Sequence, residues 1–214
     1  MSHNSEDLKA EYRNEELRKE YVPDNPITLF EKWFNQALEI SRYDTTAMHL
    51  ATADDEGKPS IRVVLLKDYS DEGFVFYSNY NSRKGQDLKN NRFCSINFYW
   101  SFLMRQVRID GKVEKTDQSR SDEYFNMSSE GGRIAAIASP QSKILASRDE
   151  LIEKFRQVEQ QGKNEPLVRP AHWGGYVVKP ERIEFWQGRD NRYHDRIVYS
   201  LQKQGKWTCH RLAP

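Results

Sequence analysis

Long apolar runs are missing from this chain. No stretch approaches the roughly 18–20 consecutive apolar residues that cross a bilayer. A hydrophobic content of 37% with a mean hydropathy of −0.90 is low for a monomer that must build its own core. Cysteine is scarce too. Cys94 and Cys209 stand far apart with no metal-ligand spacing, as expected of free thiols in a reducing compartment rather than a disulfide framework. Charge of one sign is not in excess: 33 basic residues meet 32 acidic ones for a net +1, so no global field draws in nucleic acid. The five histidines form no metal constellation. There is no Gly-x-Gly-x-x-Gly after a strand, no phosphate-loop lysine, no His-Glu-x-x-His and no Gly-x-Ser-x-Gly elbow. Dinucleotide folds, phosphate-loop enzymes, zinc peptidases and serine hydrolases therefore lose their support. The first residues, Met-Ser-His-Asn-Ser-Glu-Asp, are polar and acidic, unlike a signal peptide. The expectation is a cytoplasmic protein without membrane, nucleic-acid or metal partners.

Aromatic residues are plentiful, with 5 Trp, 11 Tyr and 10 Phe. A polar chain rich in aromatics often completes its core with a partner subunit or a cofactor. At 214 residues it is long enough for one domain of 23–214, preceded by a helical arm over 1–22. Residues 6–19 are charged and helix-prone, with a thin apolar face at Leu8, Tyr12 and Leu17. Asn25 and Pro26 cap and open a second helix, whose Leu29, Phe30, Trp33, Phe34, Ala37 and Leu38 recur at helical period to about Ser41. Strands are expected at 47–53, 60–68, 74–79, 93–100, 104–115, 173–179, 182–187, 196–202 and 206–211. Helices are expected at 83–90 behind a Ser82 cap, 120–127, 131–139 and 147–161. Strands at both ends with helices between read as α+β, an antiparallel meander closing into a small barrel.

The residues that could carry chemistry are basic ones at strand ends and helix starts. If the stretch after Asn191 is extended, Arg192, His194 and Arg196 share one face. Crowding those cations calls for an anion, a phosphate or an electron-rich ring, unless the stretch is merely a solvated edge strand. Arg62 and Lys67 bracket Val63, Val64, Leu65 and Leu66. On an unbroken strand they would face opposite ways, so only a bulge or strand end lets both touch one ligand. Arg83 and Lys84 open a helix, where free backbone N–H groups favour anions. Gln106 sits inside an apolar strand, and Trp186 beside the basic cluster could stack on a planar ring or fill the core.

Several blocks together, Arg62-Val-Val-Leu-Leu-Lys67, Phe76-Tyr-Ser-Asn79, Ser82-Arg-Lys84, Arg105-Gln-Val-Arg108, Gln141-Ser142, Trp173-Gly-Gly175, Phe185-Trp-Gln-Gly188, Arg192-Tyr-His-Asp-Arg196 and Arg211-Leu-Ala-Pro214, resemble the pyridoxine 5'-phosphate oxidase family in order and over nearly the whole chain. The resemblance implies an FMN-binding split β-barrel, antiparallel and of Greek-key type with flanking helices, active as a homodimer with FMN between subunits. It implies FMN contacts at Arg62, Val63, Val64, Leu65, Leu66, Lys67, Tyr77, Ser78, Arg83, Lys84, Gln106, Gln141, Ser142, Trp186 and Arg196, some of them across the dimer. On the substrate side it implies Lys67, Tyr124, Arg192 and His194, with Lys9 and Tyr12 from the arm as a lid; the family has arginine where Lys9 stands.

The implied reaction oxidises pyridoxine or pyridoxamine 5'-phosphate to pyridoxal 5'-phosphate, with hydride passing to the flavin, oxygen as acceptor and hydrogen peroxide released. Arg192 and His194 would hold and polarise the substrate. One loop departs from the pattern. The arginine and serine with which the family grips the substrate phosphate fall, without gaps, at Ser128 and Gly132. Losing one charge-assisted hydrogen bond of about 1.5–3 kcal/mol weakens binding on the order of 10–150-fold. Arg133 stands near as a substitute, and Glu130 would oppose a phosphate. A related flavin oxidase acting on another ring, and a non-catalytic FMN or pyridoxal phosphate binding protein, remain open as alternatives.

Overall fold

The structure is a computed structural model and describes residues 5–40 and 45–214. One nine-stranded sheet, antiparallel in every ladder, runs β2-β1-β5-β6-β7-β4-β3, with β8 and β9 added beside β7. Its strands are β1 (Ala47–Ala53), β2 (Pro59–Leu65), β3 (Asp68–Ser70), β4 (Gly73–Asn79), β5 (Phe93–Trp100), β6 (Arg105–Lys115), β7 (Trp173–Gln187), β8 (Asp195–Leu201) and β9 (Trp207–Arg211). The helices are α1 (Ser5–Asn14), α2 (Pro26–Ile40), α3 (Arg83–Asn90), α4 (Gln118–Met127), α5 (Glu130–Ala138) and α6 (Arg148–Gly162). The expected α+β architecture is present, although among the described residues no ladder closes the sheet.

Two features shape the sheet. The chain leaves β2 at Leu65 and changes partners within two residues: Leu66 N–H donates to Thr46 (2.8 Å), and Lys67 N–H donates to Val75 (2.8 Å). This corner turns the strand from β1 towards β4. It is the strand end that lets Arg62 and Lys67 escape simple alternation. The second feature is β7, which the sequence divides into 173–179 and 182–187. It is one strand, with a register shift opposite Asp110 and Gly111. Pro180 cannot donate to a ladder, and a side chain on Gly111 would meet the Lys179 carbonyl oxygen at 2.1 Å. Before the bulge β7 pairs β4; after it, β8. The sheet splits there.

Helix α2 plugs the core face. Asn25 Oδ1 accepts from Ile27 N–H (2.8 Å), leaving Pro26 in the first turn where its missing donor costs nothing. Phe30 is fully buried, with ring centroids 4.9 Å from Phe74 and 5.2 Å from Phe98. Helix α1 ends at Asn14, short of the expected residue 19. Arginine side chains capture carbonyls in its last turn and beyond: Arg189 takes those of Arg13 (2.6 Å) and Glu15, and Arg211 that of Leu17 (2.6 Å). Arg105, wholly buried, bonds the Tyr12 carbonyl (2.7 Å), Gln187 (2.7 Å), Gln36 and Glu15, and lies 4.5 Å over Trp33.

The outward face carries a second charge centre. Glu184 has no solvent exposure and accepts hydrogen bonds from Arg108, Arg182 (2.6 Å) and Arg196 (2.9 Å). Burial pushes its carboxyl up, but the three guanidinium bonds outweigh this and hold it at about 2. With the folded value depressed, the stabilisation is complete above the ordinary carboxylate range and is lost as pH falls towards about 2. Glu184→Gln is expected to cost about 3 kcal/mol, because partly exposed arginines can rehydrate. For a chain of this length that lowers the melting temperature by roughly 6–12 °C at pH 7. The difference from wild type should shrink below pH 4 in calorimetry.

Candidate functional site

Strand β4 delivers Ser78 and Asn79 to the start of α3, where Ser82 caps the helix by accepting from Gly85 N–H (3.3 Å). Lys84, 8% exposed, points back under this turn. Its Nζ reaches Gln141 Oε1 (2.8 Å), Ser78 Oγ (3.1 Å) and Ser82 Oγ (3.3 Å), all neutral acceptors. Burial, then the neighbouring Arg62, bring its pKa down to about 8. Arg62 spans Thr52 Oγ1 (2.7 Å), Ser60 Oγ (2.7 Å) and the Leu50 carbonyl (3.1 Å), with Asp87 at 3.7 Å; burial lowers its pKa as well. Arg83 stands exposed at the first helical position. A buried ammonium with neutral partners and a half-buried guanidinium facing one carboxylate, at a helix N-terminus, could seat an anion such as a phosphate ester. Gln141 closes its edge through Ser78 and Lys84, and Ser142 follows it, exposed and in a left-handed conformation (φ 69°).

The corner after β2 sets Lys67 in a second cleft, of about 180 Å³, lined by Lys67, Asp68, Tyr77, Arg120, Glu123, Tyr124 and Met127. Tyr77 and Tyr124 stack face to face at 3.8 Å with Trp173 behind, and Lys67 Nζ lies 5.9 Å from the Tyr124 centroid. Burial raises the Tyr77 pKa. Helix α4 reaches this position because β7 has no side chain at Gly174, where a Cβ would strike Tyr80 Oη at 2.2 Å. Gly175 N–H then bonds Ser121 Oγ (3.1 Å).

The third group departs from expectation. Residues 192–196 are not one extended face. Asn191 (φ 54°) and Arg192 (φ 64°) lie in a left-handed turn, and β8 begins only at Asp195. Arg196 is committed to Glu184 and the Ala213 carbonyl (2.8 Å), and Arg189 to Asp195 (2.8 Å). The expected crowding of cations is thus largely relieved by carboxylates. Arg192 projects into solvent, while His194 tilts on Trp186 at 4.7 Å and accepts from Arg189 N–H at Nδ1 (3.0 Å). A neutral His194 ring therefore carries its proton on Nε2. Gln106, Trp186 and Arg196 occupy adjacent register positions on β6, β7 and β8.

The pleat separates these groups. Arg62 pairs with Leu50 on the core side of the sheet, whereas Gln106, Trp186 and Arg196 face outward with the exposed Ile61, Val63, Leu65, Phe93 and Tyr99. Val64 is half-buried and Leu66 joins the core. Tyr12 is buried, its hydroxyl donating to Glu39 (2.5 Å), which raises its pKa to about 12. The Lys9 side chain lies outside the described residues. Ser128 Oγ donates to the Tyr124 carbonyl (2.8 Å), Gly132 is exposed, and neither lines the cleft. Sequence reasoning missed Arg120, which an i, i+4 pairing with Tyr124 on α4 would have flagged. It also missed the carboxylates Asp87, Glu184 and Asp195.

Residues 35–162 match the family model for pyridoxamine 5'-phosphate oxidase, and residues 173–214 that for the pyridoxine 5'-phosphate oxidase C-terminal dimerisation region. The chain belongs to the pyridoxamine 5'-phosphate oxidase family. A relative from Nostoc sp. named pyridoxine/pyridoxamine 5'-phosphate oxidase is 47% identical over 208 residues, 97% of each chain. One of the same name from Cytophaga hutchinsonii is 46% identical over the full length of both. Among solved structures, PhzG from Burkholderia lata, in complex with tetrahydrophenazine-1-carboxylic acid, superposes with a TM-score of 0.86 at 30% identity, covering 94% of this chain and 98% of that one. A pyridoxamine 5'-phosphate oxidase-related, FMN-binding protein from Nostoc punctiforme shares the fold, with a TM-score of 0.69 at 15% identity over 90% and 98% of the two chains.

The anion seat of this family member can be tested at Lys84. Its depressed pKa means the ligand-free fold gains little from the charge, so Lys84→Met is expected not to lower the melting temperature. Affinity for a phosphomonoester such as FMN should fall roughly 10–150-fold, the worth of one charge-assisted bond, in a flavin fluorescence titration. Wild-type affinity should itself decline as pH rises through about 8, where Lys84 sheds its proton.

Proposed function

We propose that this chain is an FMN-dependent oxidase converting pyridoxine 5'-phosphate or pyridoxamine 5'-phosphate to pyridoxal 5'-phosphate, with oxygen as acceptor. The observation that carries the reading is Lys84, a buried ammonium with only neutral partners beside Arg62, in a chain whose relatives bear that oxidase name. Arg62, Arg83 and Lys84, with Ser78, Gln141 and Ser142, would hold the FMN phosphate. Tyr77 and the stretch from Val63 to Lys67 would run along the isoalloxazine.

Gln106, Trp186 and Arg196 face the other way and would reach the FMN of a second copy. The reading is therefore a homodimer with FMN between subunits, supported by the apolar outward face and the match to a dimerisation region. FMN held by these residues would supply the redox chemistry, two-electron oxidation of the substrate with oxygen as the final acceptor and hydrogen peroxide as its product. The protein's own task is to bind and orient. Lys67 and Tyr124 place the ring, Arg192 brings positive charge to its anionic edge, and His194 offers its Nε2 proton to a ring substituent while Trp186 fixes the imidazole plane. The arm expected over 1–22 would cover the substrate on the domain of 23–214 with Lys9, while Tyr12, buried against Glu39, would anchor it.

A second reading, a flavin oxidase acting on a different ring, is favoured by Ser128 and Gly132 where the family's phosphate-gripping residues are expected. Comparing turnover of pyridoxine 5'-phosphate and pyridoxine separates the two, since no preference for the phosphate supports the second. The first reading expects a yellow purified protein whose flavin absorbance bleaches when pyridoxine 5'-phosphate is added without air. It also expects Arg192→Ala to retain FMN and lose about 100-fold in turnover, as a misplaced substrate would. A colourless protein that takes up no FMN, or full turnover in Arg192→Ala, refutes the respective claim.

A further inference from the structure

One cation of the Lys67–Tyr124 cleft has no part in the reading above. Arg120 lies one turn before Tyr124 on α4, so both project from the same helical face into the cleft. Its guanidinium bonds Asp68 Oδ2 at 2.5 Å, and that carboxylate is 59% exposed. A pair this open to water exchanges readily for a better anion. The positions from which a phosphate grip was expected are spent elsewhere. Ser128 Oγ is bonded to the Tyr124 carbonyl, and Gly132 has no side chain. Arg133 does not line the cleft: its guanidinium leans on the Asn126 carbonyl at 3.4 Å.

We infer that Arg120, with Lys67 across the Tyr124 ring, grips the anionic substituent of the substrate, a phosphomonoester on the ring, in place of the expected loop arginine. Asp68 is the counter-ion that keeps the guanidinium aimed until the ester displaces it. This assignment rests on the proposed function for the identity of the ring. The cleft of about 180 Å³ has room for a phosphoryl group, and it holds two cations against Asp68 and Glu123. Asp68 therefore competes with the ester, which gives the two partners of one ion pair opposite effects on binding.

The test uses the FMN-loaded protein and three variants, Arg120→Gln, Asp68→Asn and Arg133→Gln. Steady-state kinetics on pyridoxine 5'-phosphate and pyridoxine would be joined by equilibrium binding of pyridoxal 5'-phosphate, followed by its own absorbance. For Arg120→Gln the expected result is a KM for the phosphorylated substrate raised on the order of 10–150-fold with kcat little changed. Its kcat/KM preference for the phosphorylated over the free vitamer should fall by the same factor. Asp68→Asn should bind the phosphorylated ligand more tightly, and Arg133→Gln should behave as wild type. The inference is overturned if Arg120→Gln keeps the phosphate preference or loses both substrates equally. It is also overturned if Asp68→Asn weakens binding in parallel with Arg120→Gln, or if Arg133→Gln carries the effect. A wild-type flavin that bleaches with neither vitamer refutes the proposed function, and the binding titration then still decides Arg120. Failure of the wild type to bind pyridoxal 5'-phosphate overturns both.

Discussion

Pleating sends successive side chains of a strand to opposite faces, and that alternation governs where chemistry can assemble in this protein. The inward face of the nine-stranded sheet is given over to Phe74, Phe98, Ile96, Ile109 and their neighbours around Phe30. The only inward-facing strand position of β2 that carries a charge, Arg62, is drawn off by Thr52, Ser60 and Asp87 at the mouth of α3. The polar residues of β6, β7 and β8 are confined to the other face. Only the corner at Leu66 and Lys67, where backbone bonding passes from β1 to β4, lets a β2 neighbour turn into a cleft.

Charges in the fold are handled in two ways, and the contrast separates scaffold from site. Glu184 and Asp195 are ringed by guanidiniums, so their burial is compensated within the chain. Such networks are expensive to break and do little for a ligand. Lys84 is treated oppositely: it is buried among hydroxyls and an amide, which leave its charge only partly offset. Groups left in that condition are where a negatively charged molecule gains most by arriving.

Much of this was legible in the sequence because the determining signals are local. The apolar period of α2, the Ser82 and Ser147 caps, and most strands follow from spacing and turn chemistry. The strand end between Arg62 and Lys67 follows from asking how both could serve one ligand. What escaped was decided by distant partners. Helix α1 stops early where Arg189 and Arg211, nearly two hundred residues away, take carbonyls of its last turn and of the residues after it. The turn at Asn191 and Arg192 adopts a left-handed backbone that spacing does not announce. The continuity of β7 through Pro180 depends on the opposing Gly111, which permits the bulge. Arg120 was overlooked because the cleft it lines is completed by Lys67 and Tyr77, supplied by other elements.

The buried guanidinium of Arg105 has a bearing on how such chains can change over time. Burial, only partly countered by Glu15, depresses its pKa to about 10, and one of its bonds ends on the main chain of the N-terminal segment. That segment is thereby a structural counterweight, not a dispensable tail. A descendant that shed it would leave the guanidinium with Gln36, Gln187 and Trp33 but without its carboxylate and main-chain partners. The position would tolerate the loss only by becoming an uncharged, similarly sized side chain, so the beginning of the polypeptide and residue 105 should vary together.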